Sequence, residues 1–239
     1  MKLPTDALGS LEISTVNQIH KLAATLCFAF GWLCMTRAEA ADPSVFQSRL
    51  FNNGTLVYSD DFEGELDRER WQPRTKTWQI KNGTLIGSPD YQNAEEAKKA
   101  LGRDHHLGLS PVIRLNHLPA KFVLHIRVKF EGNAFTTGRP KIDIGHHINT
   151  LVFTADGYSL KLHGGQRFSG KAPDVRLNEW IDVTLEYQVG KMWISINGTG
   201  QTIQHEQVSL QGRSELTFKT FDAAPNRIVF DSVRLWKVD

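Results

Sequence analysis

The sequence predicts an all-β domain, two antiparallel sheets stacked as a β-sandwich, and three observations predict it. Phe122-Val-Leu-His-Ile-Arg-Val-Lys-Phe130 and Trp180–Tyr187 alternate apolar and polar side chains with period two, the signature of a half-buried strand rather than a helix. Asn-Gly pairs at Asn53-Gly54, Asn82-Gly83 and Asn197-Gly198 punctuate the chain. Both residues tolerate the positive φ of a type I′ turn, whose twist matches paired strands. Many short strands with Gly and Asn turns, and no repeat of fixed period, argue for one sandwich with one short helix.

The N-terminal segment reads differently. Leu22–Met35 is apolar throughout, follows His20-Lys21 and precedes an Ala38-x-Ala40 step of small side chains. That order matches a secretory signal cut after Ala40, and the apolar run is shorter than the ~20 residues a bilayer span needs. The expected domains are thus a signal peptide over 1–40 and a sandwich over 41–239. The expected location is secreted or periplasmic, of the bacterial kind, with no stable membrane anchor after cleavage. Both cysteines, Cys27 and Cys34, would leave with the leader. The mature chain then has no thiol nucleophile, no thiolate ligand and no cross-link, and any metal must sit on His, Asp, Glu or backbone oxygen. The formal charge of +2 excludes a nucleic-acid binder that relies on many phosphate contacts.

Along the mature chain, Trp78–Ile86 and Met192–Thr199 read as hairpins about Asn-Gly, and Asp156-Gly157 makes the same kind of turn between Phe153 and Tyr158. Each Asn-Gly-Thr is formally a glycosylation sequon, but the turn reading explains it without sugar. Asn93–Leu101 carries Glu early and Lys late and stops at Gly102, which predicts a two-turn helix. In Phe122–Phe130 the odd-spaced apolar residues face one way, with His125, Arg127 and Lys129 opposite. Shorter strands are expected at Leu151–Thr154, Tyr158–Leu162, Lys191–Ile196, Glu215–Thr220 and Ile228–Val238. Trp71, Trp78, Trp180, Trp193 and Trp236 sit among apolar neighbours and read as core.

Candidate chemistry gathers on histidine and aspartate. Adjacent strand residues point to opposite faces, so His146 and His147 cannot serve one site unless the strand bulges. If Ile142 and Ile144 face the core, Asp143 and His147 share the other face. Asp104 and His105, in a glycine-bounded loop, could approach the same cleft. Asp143, His147, Asp104 and His105 would make a general acid/base set or an N/O site for a divalent cation, the competing reading being ordinary surface polar residues. Arg103, Arg114, Arg127, Arg139, Arg167 and Arg176, with Tyr91, Phe135 and Phe168 in loop-like stretches, suit a saccharide partner. Aromatic faces meet C–H surfaces, and guanidinium forks meet hydroxyls or anionic groups. No phosphate-cradling Gly-rich loop, H-E-x-x-H or G-x-S-x-G elbow occurs.

Three stretches carry a resemblance. Asp60-Asp61-Phe62-Glu63-Gly64 with Trp71 and Trp78–Gly87, then Asn178–Tyr187 with Lys191–Gly198, and finally Phe230–Trp236 resemble the concanavalin A-like jelly rolls. The nearest likeness is to bacterial secreted 3-keto-disaccharide hydrolase-like domains. The resemblance covers roughly residues 51–239 and implies a twelve-to-fourteen-strand sandwich whose concave face meets saccharides. Family-16 glucanases of this fold carry Glu-x-Asp-x-x-Glu on one strand. The closest run here is Lys141-Ile-Asp143-Ile-Gly-His146-His147, with Lys for the first Glu and His for the second. A retaining mechanism needs two carboxyls ~5 Å apart, which this strand does not supply. The resemblance therefore implies a hydrolase that cleaves a modified (3-keto) glycoside through a His or Asp base. The alternative is a non-catalytic, lectin-like saccharide-binding module, and a third reading is a sandwich that mediates protein contacts only.

Overall fold

The computed structural model describes residues 45–102, 108–135, 140–172, 175–220 and 226–239. The signal segment over 1–40 and the site candidates Arg103, Asp104, His105 and Arg139 lie outside the described residues. The chain runs β1 (Thr55–Asp60), β2 (Trp71–Pro73), β3 (Gln79–Ile80), β4 (Leu85–Gly87), α1 (Ala94–Leu101), β5 (Val112–Leu115) and β6 (Phe122–Glu131). It continues through β7 (Lys141–Ile144), β8 (Asn149–Thr154), β9 (Gly157–Lys161) and β10 (Arg167–Lys171). It closes with β11 (Trp180–Gln188), β12 (Lys191–Ile196), β13 (Thr199–Gln204), β14 (Leu216–Lys219) and β15 (Arg227–Lys237). One sheet has eight strands, in the order β13-β12-β11-β6-β15-β4-β3 with β1 also on β15; the other has seven, β10-β9-β8-β7-β14-β5-β2. Every pairing is antiparallel. This is the expected two-sheet jelly roll with one short helix.

Local chemistry explains the punctuation. Asn82 and Gly83 take φ 52° and 66°, and Lys81 and Thr84 exchange backbone hydrogen bonds of 2.9 and 3.2 Å, as a type I′ turn requires. Asn197-Gly198 does the same between Ile196 and Thr199. Asn53-Gly54 does not: neither residue is left-handed, and the pair simply leads into β1. Asp156-Gly157 departs as well. The turn between Phe153 and Tyr158 forms one residue early, on Ala155-Asp156, and Gly157 already pairs with Thr154; its φ of 141° and a would-be Cβ 2.1 Å from the Gly170 carbonyl oxygen show a close backbone approach at that glycine. Helix α1 forms as predicted, with the Asn93 side chain accepting the Glu96 N–H and Gly102 ending it in the left-handed region.

The core is sealed by aromatics from both layers. Trp71 of β2 and Phe218 of β14 lie 5.3 and 5.0 Å from Phe230 of β15, with Phe62 6.0 Å from Trp71. Such pairs add about 0.5–1.5 kcal/mol each beyond the burial itself. Trp78 and Trp236 are buried too, but Trp180 and Trp193 are not core residues. They occupy the polar parity of β11 and β12 and lie half-buried on the outer face of the eight-stranded sheet. Lys129 and Arg127 stand over Trp180, at 5.1 and 5.8 Å, and Arg49 over Trp193, at 5.7 Å. Flat cation–π cover explains why an indole tolerates that face.

Candidate functional site

The site grows from the middle of the seven-stranded sheet. Ile142 and Ile144 are in the core, so Lys141 and Asp143 project from the outer face. Strand β7 then stops. Gly145, His146 and His147 all adopt positive φ (73°, 34° and 70°), and the Ile148 N–H closes on the Gly145 carbonyl at 2.9 Å. Left-handed backbone at non-glycine residues costs roughly 1–3 kcal/mol each and concentrates at functional sites. The turn also overturns the parity expectation for the two histidines. Instead of facing opposite ways, their rings lie 4.8 Å apart on the same side.

Each imidazole meets a carboxylate. His147 Nδ1 lies 3.1 Å from Asp143 Oδ2 and, facing an acceptor, donates to it. The other Asp143 oxygen accepts from Thr150 Oγ1 at 2.9 Å and pairs with Lys141 Nζ at 3.4 Å. Asp143 is fully buried, although under polar side chains and not hydrocarbon, while the His147 side chain is 58% exposed. Asp143 thus acts through the side chains it holds, of which His147 is the most exposed. Partial burial lowers the His147 pKa below its ordinary value; Lys219, His146 and Lys141 push the same way, and Asp143 opposes them. His146 Nδ1 in turn lies 2.8 Å from Glu215 Oε1 and 3.1 Å from Arg114 Nη2. A protonated Nδ1 donates to Glu215; a neutral one accepts from Arg114. Thr217, opposite both Asp143 and Arg114 in the register, is buried with its hydroxyl unpartnered among the described residues.

The other sequence candidates fall elsewhere. Arg127 is on the outer face of the opposite sheet, paired with Asp182 and Asp231 at 3.2 and 3.5 Å. Phe168 is a β10 residue packed against the core and not a loop platform, edge-on to His205. Tyr91 lays its ring against Gly108 in the segment before α1, where a Cβ on that glycine would come within 2.6 Å of it. None of the three touches the His147 cluster. Glu215 and Arg114 do join it, Glu215 without having stood among the residues expected there. The signal was available, because Glu215, Thr217 and Lys219 share the polar parity of β14. Among the described residues no group of three or more His, Cys, Asp or Glu gathers to hold a metal ion, and no helix is long and apolar enough to cross a membrane.

The fold is that of the concanavalin A-like jelly-roll glucanases and glycosidases. Similar solved structures include an endo-β-1,3-glucanase from Pyrococcus furiosus, at 15% identity and TM-score 0.54 over 78% of this chain and 95% of that one. The laminarinase catalytic domain of Thermotoga maritima MSB8 matches at 12% and 0.54 over 79% and 100%. A GlcNAcα1-4Gal-releasing endo-β-galactosidase from Clostridium perfringens matches at 13% and 0.56 over 81% and 66%. At these identities the likeness shows the fold alone. No family model and no curated protein matches the chain.

Proposed function

We propose that the outer face of the seven-stranded sheet acts on a saccharide, and that His147, positioned by Asp143, is the general base that cleaves a modified (3-keto) glycoside. The observation that carries this reading is the buried carboxylate on Nδ1 of a half-exposed imidazole, which leaves Nε2 as the basic nitrogen. A ketone at C3 acidifies the proton on C2. Transfer of that proton to His147 lets its bonding pair form the C1–C2 double bond, and the C1–O glycosidic bond breaks with its electrons on the leaving oxygen, which takes up a proton. Addition of water across the enone completes a net hydrolysis. Lys141 and Arg114 are the cations placed to steady the enolate oxygen. This chemistry needs no pair of close carboxylates, consistent with Lys141 standing where the retaining pattern has Glu. The saccharide-acting enzymes among the similar structures support the substrate class. The signal-like order of Lys21, the apolar Leu22–Met35 run and the Ala38-x-Ala40 step is what supports a secreted or periplasmic location.

A lectin-like module is the second reading. It is favoured by a cleft of about 350 Å³ on the opposite sheet, where half-buried Trp193 lies beside Thr184 and Ser195. A glycan array run beside an assay on 3-keto-disaccharides, with and without chelator, separates the two. His147→Ala is expected to cut turnover roughly 10²–10⁴-fold while circular dichroism stays unchanged. Sugar binding that survives His147→Ala, in a wild-type chain that never turns over the ketosugar, establishes the lectin instead.

A further inference from the structure

The two outer faces handle charge in opposite ways. On the eight-stranded sheet, cations meet anions across strands. Arg127 stands opposite Asp182 at 3.2 Å and Arg227 opposite Glu131 at 2.7 Å, with Lys129 2.8 Å from Glu131. On the seven-stranded sheet the register does the reverse. Lys141 of β7 faces Lys219 of β14, and Lys161 of β9 faces Arg167 of β10, all on the side that bears Asp143 and Thr150. Like charges set directly opposite one another destabilise a sheet. Protection of an exposed edge accounts for Arg167 and Lys171, because β10 is the last strand. It does not account for Lys161, which lies on the interior strand β9, while Lys141, also interior, leans on Asp143 at 3.4 Å. Along the strands of this face Asp143 is the single carboxylate, shared by His147 and Lys141, and Glu215, just before β14, is shared by His146 and Arg114, so two carboxylates stand against Lys141, Lys161, Lys171, Lys219, Arg114 and Arg167.

We propose that the saccharide received by this face is acidic, bearing uronic-acid carboxylates or sulfate esters that rest on the Lys141–Lys219 and Lys161–Arg167 pairs flanking Asp143. The repulsion that the register builds between Lys161 and Arg167 is then relieved when the ligand binds. This inference rests on the reading that the face meets a saccharide at all.

The test measures affinities of the full chain for size-matched oligosaccharides at low and physiological salt: an oligogalacturonate, its neutral methyl ester, and a sulfated galactan fragment, with single-stranded DNA of equal charge as a polyanion control. At least one acidic sugar is expected to bind about tenfold or more tightly than the methyl ester, with the gap narrowing as salt rises. Whether the carboxylated or the sulfated arm leads identifies the anionic group. The Lys161→Gln/Arg167→Gln pair is expected to lose most of that preference while its Tm holds or rises, since a repulsive pair has been removed. Equal binding of acidic and neutral sugars, DNA binding as tight as the sugars, or an unchanged preference in the double variant overturns the proposal. If the neutral sugar binds and acidity brings no gain, the saccharide reading stands without this refinement. If no sugar binds, both fall.

Discussion

His147 joins backbone strain, electrostatics and exposure in one residue. Its positive φ and its carboxylate partner hold the ring in one orientation, while partial burial and the nearby cations lower its pKa. A base with a depressed pKa stays neutral further into acid. The acid limb of kcat/KM against pH is therefore expected below 6.5, the ordinary histidine value, and a limb above 6.5 rejects His147 as the base. Stability follows the same sign. The folded state binds fewer protons than the unfolded one once the pH falls below 6.5, so stability declines on that side, and His147→Gln should flatten the decline in urea titrations. Asp143→Asn removes the negative charge and can turn an amide N–H donor toward Nδ1, so the tautomer is no longer fixed and kcat is expected to drop roughly a hundredfold or more in the same assay.

At the scale of elements, the hairpins and the helix follow from local chemistry, and the exceptions follow from contacts between strands. Asn82-Gly83 and Asn197-Gly198 form their turns because both residues of each pair can turn left-handed. Gly157 serves a different purpose. With φ 141° and the Gly170 carbonyl 2.1 Å from where its Cβ would stand, Gly157→Ala must push β9 and β10 apart. The expected loss is about 2–4 kcal/mol by urea denaturation, with Gly198→Ala, which meets open space, as the milder comparison.

For the whole molecule, the segment entering the fold is tied down by a single buried carboxylate. Glu186 of β11 accepts from Ser48 Oγ at 2.6 Å and from the Arg49 and Leu50 N–H groups at 2.8 and 2.7 Å. Phe46 and Phe51 close a small apolar cluster over Val123, Trp236 and Val238, on the outer face of the eight-stranded sheet. Glu186→Ala leaves three donors without their acceptor. It is expected to lower stability by about 2–3 kcal/mol and to speed proteolytic cleavage near residues 46–51, with the sandwich beyond them still protected. Unaltered cleavage kinetics would show that the aromatic cluster alone holds the segment.

The sequence by itself determined the layers. Period-two alternation in Phe122–Phe130 and Trp180–Tyr187 places core and surface residues without reference to any partner, because a strand's faces are fixed by its own backbone. The caps of α1 follow from Asn93 and Gly102. Parity also set Asp143 and His147 on one side, but the contact between them is made by the left-handed turn after β7 and not by a continuing strand. Only the tertiary structure decided the rest. Strand parity holds while a strand lasts, and β7 ends at Ile144, so the left-handed turn that brings His146 beside His147 was invisible to it. Likewise Arg127 and Lys161 read alike along the chain. The pairing of β6 with β11 gave one an aspartate to face, and the pairing of β9 with β10 gave the other an arginine. Charge complementarity is a property of register, and register is set by long-range pairing between strands distant in sequence.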